Sequence, residues 1–501
     1  MRIDSKEIGG GLMSTESLER KETVQVKQPE PKPSSSQFTQ FHGLILAIVL
    51  AVLFFLLPTG LGQKPQMALA IAVFTVVLWC CNVLPIELTA ILFSVLIAVF
   101  HILPVAKAFA GFSDVTPWFM VAVLMFGVAV TDTGLGIRLS VTLSRIFGTS
   151  FKGMIIALIF TGFVLTFLTP AGVERVLICY PLALGVAIAI MGSDVADSNV
   201  KKVALSVAYI AGNNFGFGIL TGTSANMVAL GVISRVAGYT FLWLQWAKWF
   251  FVPTVITTLV SIYIIYKIYP PERTQATSGH TSPHITAAEL GPMTSRELKT
   301  LLYLCTALAL WVTDRWHGIP PWAVAIFIAA FMCAPRIGCL TVPDLKKLPF
   351  PIALFSAGTI SLGVVMSETG VSTWLGNATL GHVIKPGMSG SAMSAITFLV
   401  SAVLHFPLVE SKAAIAGLVP VAAGYFHAMG MPVLGPTLLC TMSGLTIAFV
   451  PYMSLPAVMM IGFGPHMSYK HCAITVTVYS CVSIVVQLVS CFTWYRWTGL
   501  I

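Results

Sequence analysis

The chain has 501 residues, of which 56% are hydrophobic and 9% charged. Soluble domains carry about 25% charged residues, so the composition excludes a water-soluble globular protein. The net charge of +9 does not point to nucleic acid, because the basic residues sit in short loops between apolar runs, a pattern that reports membrane topology.

Residues 1–40 are polar and rich in Ser, Glu, Lys, Gln and Pro; they read as a disordered cytosolic tail rather than a signal peptide. An extra first transmembrane helix follows within 41–64. The unit 65–268 holds apolar spans near 66–83, 86–103 and 115–131, two shorter arms at 153–168 and 176–192, and spans near 204–234 and 242–268. The stretch 269–298, with Pro270, Pro271, Glu272 and Arg273, reads as a cytosolic linker. The unit 299–501 then holds spans near 299–313, 321–335 and 350–367, arms at 391–405 and 413–428, and spans near 437–464 and 472–495. The ten cysteines are scattered through apolar segments, with no C-x-x-C pair and no zinc spacing, and read as small core residues.

The two units repeat each other. Pro85 of N-V-L-P-I-E has a counterpart in Pro320 of G-I-P-P-W. F-G-V-A-V-T-D-T-G, ending at Gly134, matches L-G-V-V-M-S-E-T-G, ending at Gly370. L-T-P-A-G-V-E-R, ahead of Pro181, matches H-F-P-L-V-E-S-K, ahead of Pro420. Offsets of 235, 236 and 239 residues indicate an internal duplication. Each copy has five spans and one pair of arms, and an odd span count turns the second copy upside down. With the tail inside, 19 Lys and Arg fall on the cytosolic side, 7 outside and 2 at the arm tips. That fits a multi-pass protein of the plasma or inner cell membrane with a cytosolic N-terminus.

Arms of about 15 residues are too short to cross a 30 Å core, so segments 153–192 and 391–428 read as re-entrant hairpins. The span after each hairpin is interrupted, by G-I-L-T-G-T-S-A-N at 218–226 and by F-V-P-Y-M-S-L-P-A at 449–457. Such paired interruptions mark a binding site near the membrane midplane; the alternative is a packing kink lined by small residues. The tips carry Glu174 and Arg175, and Glu410 and Lys412. Arg175 suits a carboxylate clamp and Lys412 a point charge, with internal pairing of each acid and its neighbouring base as the rival reading. Asp132, Glu368 and Glu87 lie at span ends and read as interfacial, and His101, His405 and His427 as core or interface histidines. There is no G-x-x-x-x-G-K loop and no H-E-x-x-H; Gly387-Met388-Ser389-Gly390 spells a G-x-S-G that arises easily in a Gly/Ser-rich stretch.

The order of elements, with L-T-G-T-S-A-N at 220–226 and V-P-Y-M-S-L-P-A at 450–457, resembles the divalent anion/sodium symporter family, which carries dicarboxylates, citrate, tartrate and sulfate. The likeness runs from about residue 65 to residue 501. It implies an all-α membrane protein of about 11 transmembrane helices in two inverted repeats, each with a re-entrant hairpin and a broken helix. The broken-helix loops resemble that family's G-T-P-P-N and A-T-P-P-N. Thr223, Asn226 and Pro456 keep the family types, Ser454 replaces a threonine, and Ala457 stands for an asparagine. Family members carry Ser-Asn-Thr at both tips, contacting substrate carboxylates and sodium. Here Ala171, Gly172 and Val173 stand at the first tip, and Glu410, Ser411 and Lys412 at the second.

The resulting substrate-binding candidates are Thr169, Ala171, Gly172, Val173, Glu174, Arg175, Thr223, Asn226, Glu410, Ser411, Lys412, Ser454 and Pro456. The cation-binding candidates are Gly222, Thr223, Ser224, Asn226, Ser411 and Ser454, with the Lys412 ammonium taking the place of a second sodium ion. Expected partners are a small di- or tricarboxylate or similar divalent anion, Na+ or H+ as coupling ion, the bilayer and, by family likeness, a second copy of the chain. Neither a further cofactor nor nucleic acid is expected. The expected activity is secondary transport by alternating access, with sodium coupling reduced or replaced by protons or anion exchange. The alternatives are a cation/proton antiporter, with the tip acids binding the cation, and a membrane enzyme or sensor.

Overall fold

The computed structural model describes residues 37–147, 150–275, 291–385, 387–406, 411–462 and 466–501. The tail up to residue 36, residues 276–290 of the linker, and Glu410 lie outside the described residues. Among those described, all regular structure is helical, and seven helices are long and apolar enough to cross a bilayer.

The duplication is visible element by element. Gln63–Cys80, Ile86–Val99 and Val115–Thr133 recur as Ser295–Val312, Pro321–Met332 and Pro351–Glu368. The hairpin arms Phe151–Leu168 and Gly172–Met191 recur as Gly390–His405 and Ser411–Ala428. Asn199–Asn214 with Ser224–Ala237 recurs as Leu434–Thr446 with Leu455–Gly462, and Trp243–Ile268 as Tyr469–Phe492. Asp114 caps the helix Val115–Thr133 by accepting from Thr116 N. That helix ends at Gly134 with φ +80°, and its counterpart at Gly370 with φ +76°; glycine adopts this left-handed turn without a Cβ penalty. After each glycine comes a helix absent from the sequence reading, Leu135–Phe147 and Val371–Thr379. Arg138 and Arg145 lie on the first of these, not in a loop.

The arms of the first hairpin have 18 and 20 residues, more than the roughly 15 expected, and their length alone would allow a crossing. The faces on which the arms begin and end follow from their contacts. Phe151 N donates to Thr274 O, and Asn199, just beyond the hairpin, donates through its N–H to Glu272 Oε1. Both ends of the first hairpin therefore lie on the linker face. Gly390 and Gly435, before and after the second hairpin, both pack against Ile501 on the opposite face. The hairpins enter from opposite sides, as an inverted repeat requires.

Each face carries a matching ion pair between the copies. Lys347 meets Asp132 at 2.6 Å on one face, and Lys107 meets Glu368 at 2.8 Å on the other. On the linker face Arg138 also reaches the buried Glu297 at 2.7 Å, joining the first copy to the helix that opens the second. Ser389, from the G-x-S-G stretch, is an N-cap that accepts from Ala392 N.

Glu272 closes the N-terminus of the first broken helix, accepting from Asn199 N at 2.7 Å and from Val200 N at 3.3 Å. Burial raises this carboxyl's pKa, but the two main-chain donors outweigh that and hold it below the ordinary carboxylate range. A depressed pKa means that the contribution is present above the usual carboxylate range and is lost as pH falls through the folded value. Glu272→Ala should lower the melting temperature near pH 7 by roughly 1–2 °C. The gap to wild type should narrow as the pH falls below the ordinary carboxylate range and through the depressed folded value; a gap constant with pH would exclude this role.

Candidate functional site

Residues 215–223 interrupt the first broken helix, two short 3-10 turns replacing the α-helix. The break begins at Phe215, three residues before the segment singled out in the sequence. The first hairpin turns over Thr169, Pro170 and Ala171 against this break. Thr169 ends one arm in an extended conformation, and Pro170 has no N–H with which to continue it.

Arg175, one turn into the second arm, is fully buried. Its Nε donates to Gly212 O at 2.7 Å, and its Nη1 donates to Thr169 O at 2.6 Å and to Gly222 O at 2.7 Å. These carbonyls lie where the arm Phe151–Leu168, the helix Asn199–Asn214 and the turn Leu220–Gly222 all end. C-terminal ends carry unpaired carbonyls and partial negative charge, so their convergence forms a cage for a cation, and the guanidinium fills it. This corrects the clamp reading, because the donors of Arg175 are spent on the protein's own backbone. At the first tip no ion pair joins Glu174 to Arg175 among the described residues, and Glu410, the acid of the second tip, lies outside them. The Oε2 of Glu174 is buried beside Gly127 of the helix Val115–Thr133 and has no hydrogen-bond partner.

The other half of the broken helix presents the opposite polarity. Ser224–Ala237 begins after Thr223, which is extended and makes no side-chain cap. Its first N–H groups are the positive end of a 14-residue helix. Lys412 from the second hairpin lines a narrow cleft with Ser224, Ala225 and Val228 of this helix, closed by Ile352 and Phe355 of the helix Pro351–Glu368. The structure thus brings Ser224 and Lys412 together, next to Thr223 in the chain. Asn226 is turned inward, its Nδ2 donating to Gly216 O at 3.0 Å and to Ile219 O at 2.8 Å, while its Oδ1 is buried without a partner.

The remaining candidates divide. Ser411 Oγ donates to Met453 O at 3.1 Å, tying the second hairpin to the second break. Ser454 Oγ lies 2.9 Å from Tyr209 OH and is buried, as is Thr169. Ala171, Gly172 and Val173 form the half-buried surface of the first tip, and Pro456 lies half-buried in the first turn of the helix Leu455–Gly462. Gly222 serves the cage through its carbonyl. Sequence reading missed Tyr209, Gly212 and Asn214. Asn214 is held by Tyr479 OH, which donates to its Oδ1 at 2.6 Å, and itself donates to Thr254 O at 3.0 Å. The run N-N-F-G-F-G at 213–218, polar and glycine-rich inside an apolar span, is the signal that could have found this region.

Two repeated copies, each with a helical hairpin and a broken helix, have the architecture of a membrane transporter. The chain belongs to the family described as the sodium:sulfate symporter transmembrane region, whose model matches residues 38–501. The L-tartrate/succinate antiporter of Escherichia coli K12 is 25% identical over 71% of this chain and 74% of its own length. The chloroplastic dicarboxylate transporter 1 of Spinacia oleracea is 24% identical over 78% of this chain and 69% of its own. The solved structure of Neisseria gonorrhoeae MtrF shares the fold with a TM-score of 0.52, at 12% identity over 91% of this chain and 94% of that one. Family and relatives place the chain among multi-pass membrane transporters and not among enzymes.

A Cβ at Gly216 would stand 2.2 Å from Arg175 Nη2 and 2.6 Å from Gly222 O, whereas one at Gly462 meets nothing within 4 Å. Gly216→Ala should therefore cost at least 1–3 kcal/mol through overpacking around a buried charge. It should appear as a loss of monodisperse protein in size-exclusion chromatography, with Gly462→Ala behaving as wild type. Equal behaviour of the two variants would show that the cage can expand.

Proposed function

We propose that the protein carries small dicarboxylates across the membrane by alternating access, in an exchange that does not draw on a sodium gradient. The observation that carries this reading is the tight crevice in which Lys412 of one copy lies beside Ser224 and Ala225, at the uncapped N-terminus of Ser224–Ala237 of the other. A helix N-terminus and a fixed cation together suit a compact anion carrying more than one negative charge. The relatives named for tartrate, succinate and dicarboxylates support the substrate class. The filled cage supports the coupling mode: Arg175 supplies the positive charge that its carbonyls would otherwise take from a bound ion.

The hairpins, the broken helices, Trp243–Ile268 and Tyr469–Phe492 would then move as one bundle. They would slide over a framework containing Val115–Thr133 and Pro351–Glu368, which already meet Glu174 and Lys412. Arg138, Arg145, Lys152, Lys201, Lys202, Lys346 and Lys347 on the linker face support a cytosolic placement of that face. One observation favours a second reading, proton coupling: the unpartnered Oε2 of Glu174 at the sliding surface. Loss of pH dependence of flux in Glu174→Gln would single that reading out, and unchanged pH dependence would dismiss it.

Thermal shifts of the purified protein with succinate, malate and tartrate, in sodium and in choline, test the main reading. Equal stabilisation by an anion in both salts is expected. Stabilisation seen only in sodium would overturn the fixed-cation coupling while leaving the carboxylate assignment intact. Lys412→Gln should weaken the anion's apparent affinity about ten- to a hundred-fold, the worth of one charge-assisted hydrogen bond. Arg175→Ala should empty the cage and make the melting temperature sodium-dependent by roughly 2–5 °C. An Arg175→Ala protein that folds and remains indifferent to sodium would refute the cage.

A further inference from the structure

On the face opposite the linker, a groove runs between Trp243–Ile268 and Tyr469–Phe492. Its outer part, about 710 Å³, is lined by Lys248, Arg315, Phe251, Val252 and Trp497 among others. Val252, Trp494 and Trp497 also line a second cavity of about 500 Å³, which continues inward past Ile256, Val485 and Val489. Pro253 lies in the wall and has no N–H to give Trp249 O. The Trp494 indole takes over that carbonyl, donating to Trp249 O at 2.8 Å and to Lys248 O at 3.1 Å. The indole is thereby fixed, and the groove is a built feature of the fold. From Lys248 to Ile256 the helix rises about 12 Å, close to the depth of one leaflet's hydrocarbon.

Polarity is graded along this path. Lys248 and Arg315 are exposed at its outer end and form no ion pair among the described residues. Asp314 beside them is turned inward, 1% exposed, and accepts from Trp243 N at 2.7 Å. Trp497 and Trp316, 77% and 83% exposed on the same face, stand at the level where indoles favour the membrane–water boundary. Below them, Ile256, Val485 and Val489 are exposed and wholly apolar.

We propose that this groove binds one phospholipid with an anionic headgroup, its phosphate between Lys248 and Arg315 and one acyl chain over Val252, Ile256, Val489 and Val485. A cationic rim above an apolar channel of leaflet depth matches that ligand in charge and in length, and a zwitterionic lipid would gain less from the rim. The site lies on the outer side of Trp243–Ile268, whose inner side holds the break through Trp246 Nε1 and Phe217 O at 3.1 Å. It is separate from the Lys412 cleft and does not depend on which anion is carried.

Native mass spectrometry of the full chain, loaded with equal amounts of phosphatidylglycerol and phosphatidylcholine, tests the proposal. Wild type should retain phosphatidylglycerol preferentially. K248E with R315E should lose that preference by about ten-fold, as expected for two charges near a phosphate. K64E with K385E, which makes the same charge change on other exposed residues of that face, should keep it. Val489→Trp leaves the rim intact and blocks the channel, so it should lose retained lipid as well, and it covers the case in which the double variant fails to fold. Equal retention of both lipids by wild type, unchanged preference in K248E with R315E, or full retention in Val489→Trp would each overturn the proposal. So would displacement of the lipid by inorganic phosphate alone, which would reveal a phosphate site without an acyl channel.

Discussion

The bond set between the Arg175 guanidinium and the carbonyls of Thr169, Gly212 and Gly222 is the contact on which the centre of the molecule depends. Breaking a helix halfway through a membrane leaves carbonyl groups with no water to meet, each costing several kcal/mol if left unpaired. Three chain ends do this at one point. A single planar cation with several donors answers all of them, and its own burial is tolerable because each donor used has a partner. Gly216 follows from the same requirement, since a side chain there would occupy the guanidinium's place, whereas a Cβ at Gly212 would meet Val176 and one at Gly222 would meet the Gly216 backbone.

With the carbonyl side of the break neutralised from within, the amide side can stay open. Thr223 leaves the first N–H groups of Ser224–Ala237 uncapped by its side chain, and the lysine that lines the crevice beside Ser224 comes from the other copy. The halves are interlocked in this way throughout: Ser224–Ala237 packs against the second hairpin, and Leu455–Gly462 against the first. The two sites are nevertheless unequal. At the second break Ser454 is engaged by Tyr209 and Met453 O by Ser411, so its polar groups are satisfied by neighbours from both copies. A duplicated chain has come to hold two breaks that are partnered differently.

Much of the architecture was legible because lipid imposes it. Apolar length, proline and glycine interruptions and the Gly134/Gly370 correspondence placed the spans, the hairpins and both breaks within a few residues. The helix Leu135–Phe147 escaped because a helix with one polar face does not read as an apolar run. The hairpin arms are longer than their apolar cores suggest, because Gly172, Glu174 and Arg175 belong to the first turn of the second arm, and the contacts of Phe151, Asn199, Gly390 and Gly435 locate the face on which each hairpin begins and ends.

The sequence marks a duplicated, multi-pass membrane protein, because composition and period are local properties of the chain. It also marked Arg175 and Lys412 as out of place, because a charge inside an apolar run is costly wherever it lies. Only the tertiary structure decided what each does. Arg175 could face an anion or a ring of carbonyls, and Glu174 could face Arg175 or Gly127. The choice rests on main-chain groups contributed by residues 169, 212 and 222. Every residue carries the same main-chain carbonyl, so the residue types at these positions do not reveal the cage until folding brings it together.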